Sequence, residues 1–302
     1  MSNITNKFNF PQPILNAMRK DHYSRGDSLI SATEIIDSPR VRILKKANRE
    51  NITEDASDKF WSLMGTAIHA IVEQGLDEQH IGEQRYFTEV LGWKISGAVD
   101  LQLLGKNPNT GNTTVAVSDY KFTSARNVMN PKADWERQLN VYAWLIEHTT
   151  RTQVISLAIN GIVRDWTKAR ALVDPKYPQA PMVVIPLELW PMAQRKKYVY
   201  DRVGLHQDTE RAHDWHEPIP ECTDEERWYQ PGQIAIYKEG GKRALKLFES
   251  TEIEEAKAYA SGVDGSIVQV RPGINTRCLN YCSVSEWCGQ WQGIKNQLAL
   301  DI

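Results

Sequence analysis

Apolar residues recur at intervals of three and four along "SDKFWSLMGTAIHAIVEQGL" (57–76), the period of a helix with one buried face, and Gly75 suits its end. "KADWERQLNVYAWLIEH" (132–148) predicts a second amphipathic helix. "SATEIIDSPRVRILKKANRE" (31–50) predicts helix started by Ser31 or Thr33 and broken near Pro39. Between the two long helices the pattern changes. "QRYFTEVLGWKISGAVDLQLL" alternates as a strand does, interrupted by Gly92 and Gly97. "NPNTGN" is rich in turn formers, and "TTVAVSDYKF" (113–122) pairs with the preceding run as an antiparallel hairpin. "TQVISLAING" is a further strand, "KARALVDPKYPQAP" a loop, and helix resumes after Pro191 in "ELWPMAQRKKYVYDRVGLH". Helix, strands, helix, strand in that order imply an α/β core of three to four strands with flanking helices. Past "HEPIPECTDEERWYQPG" a second, smaller unit follows. It contains a hairpin turning at Gly240-Gly241, a short helix with Thr251 and Glu254 at capping-box spacing, a strand "SIVQVRPG", and a cluster of cysteines.

Composition bounds this picture without changing it. The 302 residues are 41% hydrophobic and 25% charged, enough for one large or two modest domains. A division at 215/216 is expected, with residues 1–215 as the core and 216–302 as a C-terminal segment packed on it. No run approaches the roughly 18 apolar residues of a membrane span. "PMVVIPLELW" is broken by Pro186 and Glu188, and the polar start "MSNITNKFNFPQ" lacks a signal-peptide segment. The expectation is a soluble protein that stays in the compartment where it is made, the cytoplasm. The net charge of −2 gives no global sign of a nucleic-acid partner. Any basic surface must be local, and "RVRILKKANR" carries Arg40, Arg42, Lys45, Lys46 and Arg49 without an acid; it also reads as the solvated face of an amphipathic helix.

The candidate chemistry lies in the strand "TTVAVSDYKF". Asp119 and Lys121 are two apart, so they share a face while Tyr120 points the other way. "GAVD" ends the preceding strand at Asp100, and the hairpin brings Asp100 beside Asp119. Adjacent carboxylates repel unless a cation sits between them. Hard oxygen ligands suit Mg²⁺ or Mn²⁺, and a lysine beside such an ion can orient water and counter charge on a phosphate. Upstream, His69 lies four residues before Glu73 on one helix face; an imidazole there completes a metal shell and favours Mn²⁺ somewhat. Downstream, Gln138 and Tyr142 share a face and can hydrogen-bond a phosphate or the lysine. Each of these signals alone has a plain structural reading: a surface ion pair, a satisfied histidine, helix packing.

Taken in order, "GTAIHAIVE" (His69), "ISGAVD" (Asp100), "VSDYK" (Asp119, Lys121) and "QLNVY" (Gln138, Tyr142) resemble the PD-(D/E)XK nucleases, in particular their RecB-like exonuclease branch. The resemblance implies a restriction-endonuclease-like α/β fold, a small mixed sheet flanked by helices. It implies a metal site of His69, Asp100, Asp119 and the Tyr120 carbonyl. It further implies Lys121 as activator of water and Gln138 and Tyr142 as support for substrate. Members commonly carry Glu at the Asp119 position; Asp is an accepted variant. The implied activity is metal-dependent hydrolysis of DNA, with recombination or replication proteins as partners.

Cys278, Cys282 and Cys288 are spaced C-x₃-C-x₅-C, and Cys222 stands apart. Four thiolates suit either Zn²⁺ or an iron–sulfur cluster, and three buried structural cysteines with one bystander is the plain alternative. Some RecB-like nucleases carry one distant cysteine and a C-terminal group of three that hold [4Fe–4S], and this tail resembles that group. Here the first pair is spaced by three residues rather than two, and the distant cysteine follows the nuclease motifs rather than preceding them near Pro39. "PECTDEERW", "GGKRALKLF" and "RPGINTRCLNYCSVSEWC" also resemble bacteriophage-encoded members, for which the compartment would be the host cytoplasm. Two rival readings remain at this stage. One is a non-catalytic DNA-binding module in which Trp61, Trp135 or Trp144 stacks bases. The other is a zinc-stapled interaction protein.

Overall fold

The computed structural model describes residues 3–20 and 25–300. Chain contacts divide it into two compact units, Met1–Pro39 with Arg49–Pro218 and Arg40–Asn48 with Ile219–Ile302.

In chain order the first half runs β1 (Asn3–Thr5), α1 (Gln12–Lys20), β2 (Ile30–Ser31), α2 (Ala32–Ile36), α3 (Pro39–Ala47), β3 (Thr53–Asp55), α4 (Ala56–Glu73), β4 (His80–Val90), β5 (Trp93–Lys106) and β6 (Thr113–Thr123). It continues with α5 (Ala125–Met129), α6 (Ala133–Thr150), β7 (Gln153–Val163), α7 (Lys168–Val173), β8 (Met182–Leu187) and α8 (Met192–Asp214). Helix α3 groups with the second unit and the others with the first. Ser31 starts α2 through a capping box closed by Glu34, and Pro39 sits at the first position of α3, where its missing N–H costs nothing.

The central sheet is mixed and has six strands, in the order β2-β5-β6-β7-β8 with β4 on the other edge of β5. Three to four were expected from the pattern. The extra strands are β2, only two residues long, and β8, whose Pro186 argues against a strand. Pro186 is tolerated because β8 ends the strand order, where a missing N–H breaks no second ladder. Strands β4 and β5 turn through Leu91 and Gly92, both at positive φ (49° and 78°), which fits the primed two-residue hairpin turn. Strands β6 and β7 are parallel, so the chain must cross over between them, and α6 makes that crossover. Helix α6 is buried almost all round, from Trp135 through Ile146, and forms one core with Ile95, Val99, Val117, Leu157, Ile159, Val199 and Val203. Burial of each such aliphatic side chain contributes about 1.5–3 kcal/mol. Residues 168–173, expected as loop, form the short exposed helix α7.

The second unit continues with β9 (Tyr229–Gln230), β10 (Gln233–Lys238), β11 (Lys246–Glu249), α9 (Ile253–Ser261), β12 (Ser266–Arg271), β13 (Ile274–Asn275), α10 (Thr276–Asn280), a 3₁₀ turn (Ser285–Trp287) and α11 (Gly289–Leu300). Strands β11-β10-β12 form an antiparallel sheet on which α9 packs through Ile234, Ile236, Phe248, Ala256 and Ala260. Helix α9 does not use the Thr251–Glu254 capping box. Its N-cap is Glu252, whose carboxylate accepts from the Glu249 amide instead.

Candidate active site

Strand β6 carries the site, and its alternation divides the work between two helices. Asp119 and Lys121 face α6; Tyr120 and Phe122 face α4. The β5–β6 ladder ends at Leu101 opposite Ser118, so the next position across places Asp100 opposite Asp119. Asp119 is 1% exposed. Its Oδ2 lies 2.7 Å from Lys121 Nζ, and its Oδ1 accepts from Gln138 Nε2 at 3.4 Å. Lys121 Nζ also donates to Gln138 Oε1 at 3.2 Å, and Gln138 Nε2 donates to the Tyr142 hydroxyl at 2.7 Å. Lysine, amide and phenol are thus tied into one chain of hydrogen bonds running from β6 along α6.

On the other side, the Tyr120 amide donates to Asp100 Oδ2 at 3.0 Å. His69 Nε2, from α4, lies 3.6 Å from that oxygen and 3.4 Å from the Tyr120 carbonyl oxygen. Glu73 and Glu83 line the same pocket as His69, Asp100 and Tyr120. Glu73 was visible in the sequence as the residue one turn after His69. Glu83 was not: the alternating run legible in the sequence begins at Gln84, whereas β4 starts at His80 and its register sets Glu83, at φ 38°, across from Asp100 between the Gly82–Leu101 and Gln84–Val99 pairs.

The electrostatics follow from one ammonium serving a buried carboxylate and a partly buried one. Burial, and then the neighbouring Asp119, push the Asp100 carboxyl up to about 8. Burial works against the Lys121 ammonium, but Asp119 and then Asp100 outweigh it and hold its pKa above the ordinary lysine value. The residues named from the sequence therefore come together: His69, Asp100, Asp119, Tyr120, Lys121, Gln138 and Tyr142 lie in one continuous network. Trp135 and Trp144 do not join it. They are 7% and 2% exposed, part of the core, and are not available to stack a base; Trp61 is 48% exposed.

The family model of the PD-(D/E)XK nuclease superfamily matches residues 78–289, most of the chain. The chain belongs to the PD-(D/E)XK nuclease superfamily. Its members are metal-dependent nucleases that typically use Mg²⁺ or Mn²⁺, and the mixed six-stranded sheet flanked by helices agrees with their restriction-endonuclease-like fold. The match begins after His69, so the case for that residue rests on its geometry alone. No curated protein matches the sequence. Among solved structures, SSO0001 is similar at 17% identity over 64% of this chain and 84% of that chain, with a TM-score of 0.42. That likeness is too slight to carry an argument.

As the side chains stand, no group of three or more His, Cys, Asp or Glu among the described residues is assembled about one ion position. Asp119 Oδ2 is taken up by Lys121, while its carboxyl group also meets that of Asp100. The donor set nevertheless fits a hard divalent ion. A buried carboxylate, a partly buried one, a ring nitrogen and a carbonyl oxygen share one corner of the sheet, a set of donors that suits such an ion.

In the second unit, Cys222, Cys278, Cys282 and Cys288 all line one small cavity with Val41 and Leu44 of α3. None is in a disulfide, and all but Cys282 are buried. Burial, and then Cys282, Cys222 and Cys288, push the Cys278 thiol up to about 11. Cys222 is fixed at both backbone groups by Gln290, whose Oε1 accepts from its amide and whose Nε2 donates to its carbonyl, each at 2.9 Å. Arg40, read from the sequence as part of a basic run, is committed to structure: its guanidinium donates to the Ile219 and Pro220 carbonyls.

Proposed function

We propose that this superfamily member is a deoxyribonuclease of the RecB-like branch, an exonuclease that hydrolyses DNA phosphodiester bonds in phage-type recombination or replication. The observation that supports this is the clustering of Asp100, Asp119, Lys121, His69 and the Tyr120 carbonyl at the end of one strand pair. In this reading His69, Asp100, Asp119 and the Tyr120 carbonyl hold Mg²⁺ or Mn²⁺. The ion, when bound, neutralises the developing charge on the phosphate and the leaving 3′-oxygen. Lys121 offers N–H donors to the attacking water and the phosphate. Gln138 holds the lysine in place, and Tyr142 holds Gln138.

The test is digestion of end-labelled linear DNA against circular DNA, with Mg²⁺ and with Mn²⁺. Linear DNA should be degraded from its ends and circular DNA spared; chelation should abolish cleavage. Asp119→Ala and Lys121→Ala should each lower the rate by at least ~10²-fold with the fold intact. Wild-type rates in both variants would remove the site from consideration. Binding without turnover by the native chain would favour a non-catalytic DNA-binding module.

The proposal includes a two-part organisation, a nuclease core over 1–215 and a segment 216–302 in which the four cysteines hold [4Fe–4S], with Zn²⁺ as the alternative. Supporting it are four cysteines, none in a disulfide, around one cavity, three of them buried where bare thiolates would be costly. Elemental analysis with a visible absorption spectrum separates the two metals. Stoichiometric iron with a brown colour supports the cluster; zinc without colour replaces it.

A further inference from the structure

The seam between α4 and β6 holds two aromatic contacts. His69 meets Tyr120, with ring centroids 6.0 Å apart, and Trp61 meets Phe122 at the same separation. Tyr120 and Phe122 are two residues apart on one strand, so the second contact lies roughly 6.6 Å beyond the first. Trp61 is therefore a near neighbour of the candidate catalytic corner, displaced along the strand that carries Lys121.

Its environment differs from that of a packing tryptophan. The residue is 48% exposed. Phe60 meets it edge-on at 5.4 Å, and the Arg164 guanidinium lies over it at 4.5 Å from the centroid. Arg164 is itself exposed and forms no ion pair among the described residues. A guanidinium held over an indole by cation–π attraction keeps N–H donors that a phosphate can accept from. Nearly half of the residue's surface stays open to solvent. An exposed aromatic face beside a cation with no carboxylate partner is matched by a base carrying its own phosphate. A base inside a duplex has both faces occupied by its neighbours, so the occupant must be unpaired.

We propose that Trp61 and Arg164 form a stacking and phosphate-binding subsite for one unpaired nucleotide of a single-stranded DNA end next to the cleavage site. This rests on the nuclease reading for its substrate class, but it is tested without catalysis. Binding of a fluorescein-labelled oligothymidylate is measured by anisotropy in EDTA, where no hydrolysis is read. Trp61→Ala should weaken binding about 5- to 150-fold, and Trp61→Phe, which keeps a π-face, should stay within about threefold of the native chain. Arg164→Ala should lower the slope of log K against log salt by about 0.7, the loss of one phosphate contact on a single strand. A purely structural Trp61 would not respond to the ligand's own chemistry, so a series of oligonucleotides with one abasic position each is decisive. One position should weaken the native chain as much as Trp61→Ala does and have no effect in that variant. Equal affinity of the native chain and Trp61→Ala, absence of any position-specific abasic effect, or no binding by the native chain would each overturn the proposal. A native chain that binds through Trp61 but never cleaves DNA with Mg²⁺ or Mn²⁺ would overturn the nuclease reading and leave this subsite standing.

Discussion

A single carboxylate shows how much of this fold is set by individual hydrogen bonds. Asp55 caps α4, is buried, and accepts from the Lys7 amide at 3.0 Å, the Thr5 hydroxyl at 2.7 Å and both the amide and hydroxyl of Ser57. The Lys7 amide first, then Thr5, hold its carboxyl far below the ordinary carboxylate range. The folded pKa is below the unfolded value of about 3.9, so the stabilisation is complete above that pH and is lost as pH falls toward the folded value. Asp55→Asn should therefore lower the urea midpoint at pH 7, and the gap from the native chain should narrow progressively as pH falls below about 4. A gap that is constant with pH would mean the charge contributes nothing. At this scale the sequence was readable where the local rule held. The two-residue period put Asp119 and Lys121 on one face, and simple hairpin register put Asp100 opposite Asp119. Glu83 escaped because the alternating run legible in the sequence begins at Gln84, one residue past it, while β4 extends back to His80. Asp55 escaped because its partners, Thr5 and Lys7, are some fifty residues away.

Elements meet the site through close approach. A Cβ at Gly97 of β5 would lie 2.7 Å from Leu145 Cδ1 and 2.9 Å from Tyr142 Cδ1, both on α6. The missing side chain lets α6 sit near enough for Gln138 to reach Asp119 and Lys121. Gly97→Ala should cost about 1–3 kcal/mol as overpacking. It should also reduce cleavage by more than ~10-fold, because moving Tyr142 moves the amide that holds the lysine. Melting and turnover measured together check this, and unchanged turnover would detach Tyr142 from the site. Helix α8 is fastened to α6 by Arg195 and Glu147, 2.9 Å apart with side chains 5% and 9% exposed, and Glu147 also accepts from the Val154 amide. Arg195→Met leaves a buried carboxylate without its cation and should destabilise the fold by about 3–5 kcal/mol; adding Glu147→Gln should recover part of that loss in a denaturant titration. The long helices were legible because their periodicity spans many residues. The two-residue β2 and the proline-bearing β8 were not, since pairing with neighbours rather than local pattern makes them strands. The Thr251 box failed for a related reason: the spacing was present, but Glu252 took the cap.

At the scale of the whole molecule the two units differ in what holds them together. The first has a contiguous apolar core built around α6. The second has a small one, Ile234, Ile236, Phe248, Ala256 and Ala260, and a separate cluster in which Cys278 and Cys288 pack with Trp291. A core of that size is marginal alone, so metal held by the four cysteines would supply folding energy to this unit specifically. The units need not unfold together, and amide exchange can tell them apart. In Cys278→Ser, amides of β10, β12 and α10 should exchange at least ~100-fold faster than in the native chain, while those of β5, β6 and β7 keep their protection. Faster exchange in both units would show that the cysteines support the whole chain rather than their own segment. Unchanged exchange in β10 and β12 would show that the small apolar core is sufficient by itself, and the four thiols would then need a reason other than stability for lying around one cavity.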